Sequence, residues 1–169
     1  MSVSRSRSTG ALDLDELDWR ILRELARDSR QSLRSLAKKL KVSISTISSR
    51  VRRLEKCGVI KGYTVVVDYE KLGLDLTAII EITISRGQLL AVEREIAAMP
   101  GVFAVYDVTG LTDAIAIARV RNRKELNDLV KGILSMEYVE RTNTRVVLNT
   151  VKEDFNAILR ELYESSSLS

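Results

Sequence analysis

At 169 residues, 45% hydrophobic and 30% charged, the chain has the balance of one medium or two small globular domains, not of a disordered or membrane-spanning protein. It has a single cysteine, Cys57, and no histidine, which excludes an internal disulfide, a thiolate zinc cluster and every Ser-His or Cys-His catalytic arrangement. The net charge of +4 is unevenly held: residues 1–63 carry 15 Lys and Arg against 7 Asp and Glu, a net +8, while residues 64–169 carry 12 against 16, a net −4. The front half therefore has the sign needed to hold a phosphate backbone. No apolar run approaches the roughly 20 residues that span a bilayer, and residues 1–9 lack a secretory apolar stretch, so the expected location is the cytoplasm, without a membrane partner.

Residues 1–11 form a Ser/Arg-rich tail with almost nothing to bury, and read as disordered. Three helix patterns follow over residues 12–60. In the first, Leu14, Leu17, Ile21, Leu22 and Leu25 make a core-facing stripe, Asp13 or Asp15 caps its start, and Asp15, Glu16 and Asp18 put acid into the first turn, where the helix dipole favours it. The second is short, capped by Ser32, with Leu33, Leu36, Ala37 and Leu40 inward. Lys41, Val42 and Ser43 then lead into a third, with Ser43 as cap, Ile44, Ile47, Val51 and Leu54 inward, and Gly58 as a left-handed terminus. Cys57 reads as a small packing residue at the end of this helix. Two helices joined by about three residues, behind a packing helix, make a helix-turn-helix.

The period then changes from 3.6 to 2. Residues 61–75 read as a strand linker, with Tyr63, Thr64, Val65, Val66 and Val67 rich in strand formers. Over residues 76–152 come a strand (77–84), a helix (about 89–98) ending at Pro100 and Gly101, a strand (102–108), a turn, a strand (114–120), a helix (123–134) and a long strand (139–151). Residues 153–163 read as a last helix carrying Phe155, Ile158, Leu159 and Leu162, followed by a tail to residue 169. The order βαββαβ is ferredoxin-like, so the expected fold is α+β: an N-terminal (winged) helix-turn-helix domain joined by an extended strand linker to a C-terminal ferredoxin-like domain. Both helices cover one face of the sheet, and Ile79 and Ile117 are among the residues lining the other, which calls for a partner copy.

The third helix reads as the head that meets double-stranded DNA. With its apolar stripe inward, a 100° step per residue turns Ser45, Thr46, Ser49, Arg52, Arg53 and Lys56 outward. Small hydroxyls let a helix approach base edges, arginine forks onto guanine, and lysine meets phosphate. The cap Ser43 and Arg50 join the DNA-facing set, with Arg34, Lys38 and Lys39 of the second helix as phosphate contacts.

The chain resembles the leucine-responsive/asparagine-regulator (Lrp/AsnC, feast/famine) family of transcriptional regulators over about residues 12–152. The match lies in Leu14-Asp15, Asp18, Ile21-Leu22, Leu36-Ala37, Val42-Ser43, Arg50-Val51, Leu54-Glu55, Gly58-Val59-Ile60 and Gly62-Tyr63, then in Gly110, Asp113, Val139, Thr142 and Thr144. The resemblance implies a homodimer paired through the ferredoxin-like domains and the connecting strands, assembling to tetramers or octamers. It also implies an amino-acid effector, and no other cofactor, held around Gly110, Thr112, Asp113, Thr142 and Thr144. Asp113 suits an α-ammonium, and turn amides and the two threonine hydroxyls, on one strand face by their spacing, suit a carboxylate. The N-terminal tail and the segment after Glu153, expected as a helix on a neighbouring subunit, depart from the family pattern. Two other readings share parts of this pattern. An architectural DNA-binding protein without an effector fits the +8 front half, and a sirohaem-decarboxylase-like enzyme shares the two-domain architecture but calls for histidine, of which there is none. The reading is therefore of a regulator and not an enzyme.

Overall fold

The computed structural model describes residues 13–85 and 87–161. The tail expected at 1–11, and the end of the C-terminal helix and tail beyond residue 161, lie outside the described residues. The chain divides into two compact units, one of Met1–Val65 with Glu153–Ser169 and one of Val66–Lys152.

In the first unit, α1 (Glu16–Arg27), α2 (Leu33–Leu40) and α3 (Ile44–Lys56) follow the expected stripes except at the first residues of α2 and α3. Leu33, expected inward, is exposed because it sits at the open N-terminal end of α2, and Leu36, Ala37 and Leu40 take the buried face. Each start is closed by the side chain of its cap. Asp15 takes the N–H of Asp18, Ser32 that of Ser35 and Ser43 that of Thr46, each cap being worth about 1 kcal/mol. Asp15 and Asp18 complete a reciprocal capping box, Asp18 Oδ2 accepting from the Asp15 N–H at 3.1 Å. Ile21, Leu36, Ile47 and Leu54 are wholly buried at the centre of this unit, each contributing about 1.5–3 kcal/mol by leaving water. The turn between α2 and α3 is made by Lys41 in the left-handed region, φ 58° and ψ 43°.

Val42, just after that turn, packs on the core, and Ile44, two residues on, is 46% exposed. This corrects the expectation that Ile44 faces inward: Val42 has already taken that side, and the chain enters the helix with Ile44 turned out. Gly58 is left-handed as expected (φ 71°), whereas Cys57, which closes α3, is exposed instead of packed. The N–H groups of Val59 and Ile60 both fold back onto the Leu54 carbonyl at the end of α3, and residues 61–68 form neither helix nor strand, leaving Val65 76% and Val66 99% exposed. The final helix α6 (Ala157–Glu161) starts later than the expected residue 153 and belongs to the first unit, where it packs against α1 of its own chain. Ala157 is its buried residue, while Phe155 and Ile158, expected on a packing face, are exposed.

The second unit is a four-stranded antiparallel sheet in the order β2-β3-β1-β4, the ferredoxin-like arrangement. Its strands are β1 (Leu76–Ile84), β2 (Val102–Asp107), β3 (Ala114–Val120) and β4 (Val139–Val146), with α4 (Leu89–Ala97) and α5 (Arg123–Leu134) covering one face. On that face Ala78, Ile80, Ile82 and Ile84 alternate along β1 and Ala114, Ala116 and Ala118 along β3. The small alanines let Val92 and Ile96 of α4, and Leu126, Leu129 and Ile133 of α5, come down onto the sheet. Gly101, at the turn into β2, must be glycine. Its φ is 86°, and a Cβ there would lie 2.9 Å from the Arg119 carbonyl oxygen.

The opposite face holds Ile79 directly across from Ile117, as expected, with Ile115 and Tyr106 in the next row. Amid these apolar residues Glu81 accepts from Asn143 Nδ2 at 2.7 Å and pairs with Arg145 at 3.0 Å. Arg119 lies over the rings of Tyr69 (4.6 Å) and Phe103 (5.4 Å) and donates to Thr77 Oγ1 at 3.1 Å, docking the segment before β1 onto the sheet. β4 stops at Val146, short of the expected residue 151; Val146 pairs with Ala78, and the Val147 N–H makes one more bond, to the Thr77 carbonyl at 2.9 Å.

Candidate nucleic-acid interface and ligand turn

At the start of α3 three hydroxyls gather. Ser43 Oγ accepts from the Thr46 N–H at 3.0 Å and lies 2.7 Å from Ser45 Oγ and 2.8 Å from Thr46 Oγ1. Ser43, Ser45 and Ser49 are exposed and Thr46 is half-buried, so the expected face is presented. Exposed Ile44 stands among them and adds an apolar group suited to a thymine methyl. The apolar stripe concealed it, because nothing in the period shows that Val42 fills the inward position first.

The cations divide into two groups. Arg34 and Lys38 on α2 and Arg52 and Lys56 on α3 are exposed and form no ion pair among the described residues. Lys39 is held by Glu24 at 3.0 Å. Arg50 and Arg53, expected outward, turn back to α1. Arg50 Nη1 donates to both oxygens of Asp18 at 3.2 Å and also to Asp15, and Arg53 Nη2 donates to Asp18 Oδ2. Asp18 is wholly buried, and a buried carboxylate without partners is costly, which is why it draws both guanidinium groups. The Asp18 N–H foremost, and then the Arg50 guanidinium, hold the Asp15 carboxyl below its ordinary value of 3.8. Asp18 was missed as a site residue, yet a signal existed: it stands within the stripe of Leu14, Leu17, Ile21 and Leu22, where a carboxylate needs a buried cation.

The second set of candidates lies around the β2–β3 turn. Gly110 (φ 132°) and Leu111 are exposed, and Thr112 and Asp113 are half-buried. Asp113 is tied three ways. Its N–H donates to the Ile82 carbonyl at 3.0 Å, its carbonyl accepts from Val108 at 3.0 Å, and its Oδ2 accepts from the Ile84 N–H at 2.8 Å. Thr142 and Thr144 share a strand face as expected. That face is the helix-covered one, because they stand opposite Ile82 and Ile80. Thr144 Oγ1 is buried with no hydrogen-bond partner. Gly110, Thr112 and Asp113 therefore lie on the β3 side of β1 and the threonines on its β4 side, two strand spacings or about 10 Å apart. Within one chain the five residues do not converge.

A helix-turn-helix with a hydroxyl-and-cation reading face, joined to a ferredoxin-like sheet, defines a DNA-binding protein with an appended α+β domain. Comparison with known proteins makes the class specific. Residues 14–61 match the winged helix-turn-helix DNA-binding family, and residues 77–157 match the Lrp/AsnC ligand binding domain. An HTH-type transcriptional regulator of Pyrococcus horikoshii is 51% identical over 144 residues, covering 85% of this chain and 97% of the relative. The regulator FL11 of the same organism is 37% identical over 140 residues, covering 83% and 93%. Bacillus subtilis LrpC superimposes with a TM-score of 0.75 at 31% identity, covering 83% of this chain and 99% of that one. A Neisseria meningitidis regulator solved with L-Met shares the fold, with a TM-score of 0.77 at 24% identity, covering 84% and 94%. The chain belongs to the Lrp/AsnC family of transcriptional regulators.

Proposed function

We propose that the chain is a sequence-specific DNA-binding regulator, acting as a homodimer or a higher assembly of dimers, whose DNA binding or assembly responds to an amino acid. The observation that carries the DNA reading is the start of α3, where exposed Ser43, Ser45 and Ser49 are flanked by the exposed cations Arg34, Lys38, Arg52 and Lys56. Self-association is supported by the half-buried isoleucine face of the sheet and by residues 61–68, a run of strand formers that pairs with no described strand and suits pairing with a partner copy. The effector reading is supported by the match of residues 77–157 to a ligand-binding domain, and the same fold carries L-Met in the Neisseria meningitidis regulator. Gly110, Thr112, Asp113, Thr142 and Thr144 form a site only where a second copy brings one chain's turn to another's strand. No catalytic role is assigned: the chain has no histidine, and its relatives are regulators. No described helix is long and apolar enough to cross a membrane, in keeping with a cytoplasmic regulator.

The test is selection from a random duplex library, followed by calorimetric titration of the purified protein with each common amino acid. A preferred, roughly palindromic site and saturable heat with one or a few amino acids are expected. Steep salt dependence with no preferred sequence, and no heat from any amino acid, would replace this reading with an architectural DNA-binding protein.

A further inference from the structure

The reading helix carries Arg50, Arg52, Arg53 and Lys56 within two turns, yet only part of that charge is free. Arg50 and Arg53 converge on Asp18, which is wholly buried in α1, with Asp15 as a further partner of Arg50. Two carboxylates and two guanidinium groups make a cluster of no net charge. Arg50 and Arg53 are nevertheless 31% and 41% exposed, so phosphate has a route to them. Taking either one would strip a partner from a carboxylate that has no water to replace it, which is strongly unfavourable.

We propose that Asp18 is a specificity-determining residue that withholds Arg50 and Arg53 from the DNA backbone. The pull of α3 on any duplex then rests on Arg52 and Lys56, and sequence choice rests on the uncharged groups at its start. Sequence-independent affinity comes mainly from cations meeting phosphates, so neutralising two of them lowers binding to random DNA more than binding to a preferred site. Asp18 acts through the two arginines as a positioning residue. The inference rests on the reading of α3 as the DNA-facing helix.

The full-length protein is titrated by fluorescence anisotropy against a labelled 30-base-pair random-sequence duplex and the duplex enriched by selection, over a sodium chloride series. Asp18→Asn keeps an acceptor for the Asp15 N–H but removes the charge. It is expected to bind the random duplex more tightly, to steepen its salt slope by about 1–2, and to narrow the gap between the two duplexes. A merely structural role would weaken both. Arg52→Gln and Arg53→Gln form a matched pair: the first is expected to flatten the slope by about 0.9 and the second to leave it unchanged. If Asp18→Asn does not fold, as checked by circular dichroism, this pair decides. Equal flattening by both arginine variants overturns the proposal and leaves the α3 interface standing. No change from either overturns the interface reading, and the proposal with it.

Discussion

The carboxylate of Asp113, at the start of β3, accepts a hydrogen bond at 2.8 Å from the backbone N–H of Ile84, where the β1–β4 register shifts. The residue expected to receive an effector's ammonium group thus also closes the end of the central strand. Asp113→Ala leaves the Ile84 N–H without its acceptor and is expected to cost the C-terminal unit about 1–3 kcal/mol in urea unfolding. Asp113→Asn keeps an acceptor and is expected to cost less than about 1 kcal/mol. Both are expected to abolish amino-acid heat in calorimetry. Undiminished heat from a stable Asp113→Asn protein would remove Asp113 from the site.

Thr144 presents a buried hydroxyl with no partner among the described residues, opposite buried Ile80. Thr144→Val keeps its shape and removes the orphaned group, so the free protein is expected to gain about 1 kcal/mol. The same variant is expected to weaken the effector titration. A wild-type titration curve would place Thr144 outside the ligand site.

Tyr63 donates its phenol to Glu55 Oε1 at 2.9 Å, and burial first, then the Glu55 acceptor and charge, push its pKa up to about 12 from 10.0. As pH rises past 10.0 the unfolded chain loses this proton before the folded one. The stabilisation is therefore complete below that value and is lost as pH rises toward about 12. Tyr63 is half exposed, so the effect is small. Urea midpoints of the wild type and of Tyr63→Phe are expected to converge over this interval. A gap that stays constant would refute the coupling.

Lys41 is the described non-glycine residue with positive φ, and it makes the turn on which α3 is set. Lys41→Gly relieves the left-handed strain but adds freedom to the unfolded chain, for an expected net gain of up to about 1 kcal/mol by urea unfolding. A loss of stability would mean that the lysine side chain itself supports the turn.

The helices were legible because period, cap and breaker agree within each segment. Asp15, Ser32 and Ser43 lie where the apolar stripes begin, and their side chains close those helices by hydrogen bonds only three residues long. The β1 and β3 segments were equally clear, because an apolar residue at every second position commits one face to the core whatever covers it, and α5 because Leu126, Leu129 and Ile133 recur at helical spacing. Residues 61–68 belong to the segment read as a strand linker and form no strand, because a run of strand formers cannot supply the second strand that makes a ladder.

What the residues alone determined was local: the element order, the caps, the buried faces, the family signature, and the basic charge of the front half. What only the tertiary structure decided was where long polar side chains end. Arg53 lies 35 positions from Asp18 in the chain, and no periodicity along α3 shows that a buried carboxylate on α1 waits for it. Asp113 and Thr144 belong to one signature yet stand on opposite sides of β1, because the sheet order β2-β3-β1-β4 inserts the first strand between the third and the fourth. A face is set by residues three or four apart, whereas an ion pair or a binding site is set by segments that meet only when the chain has packed.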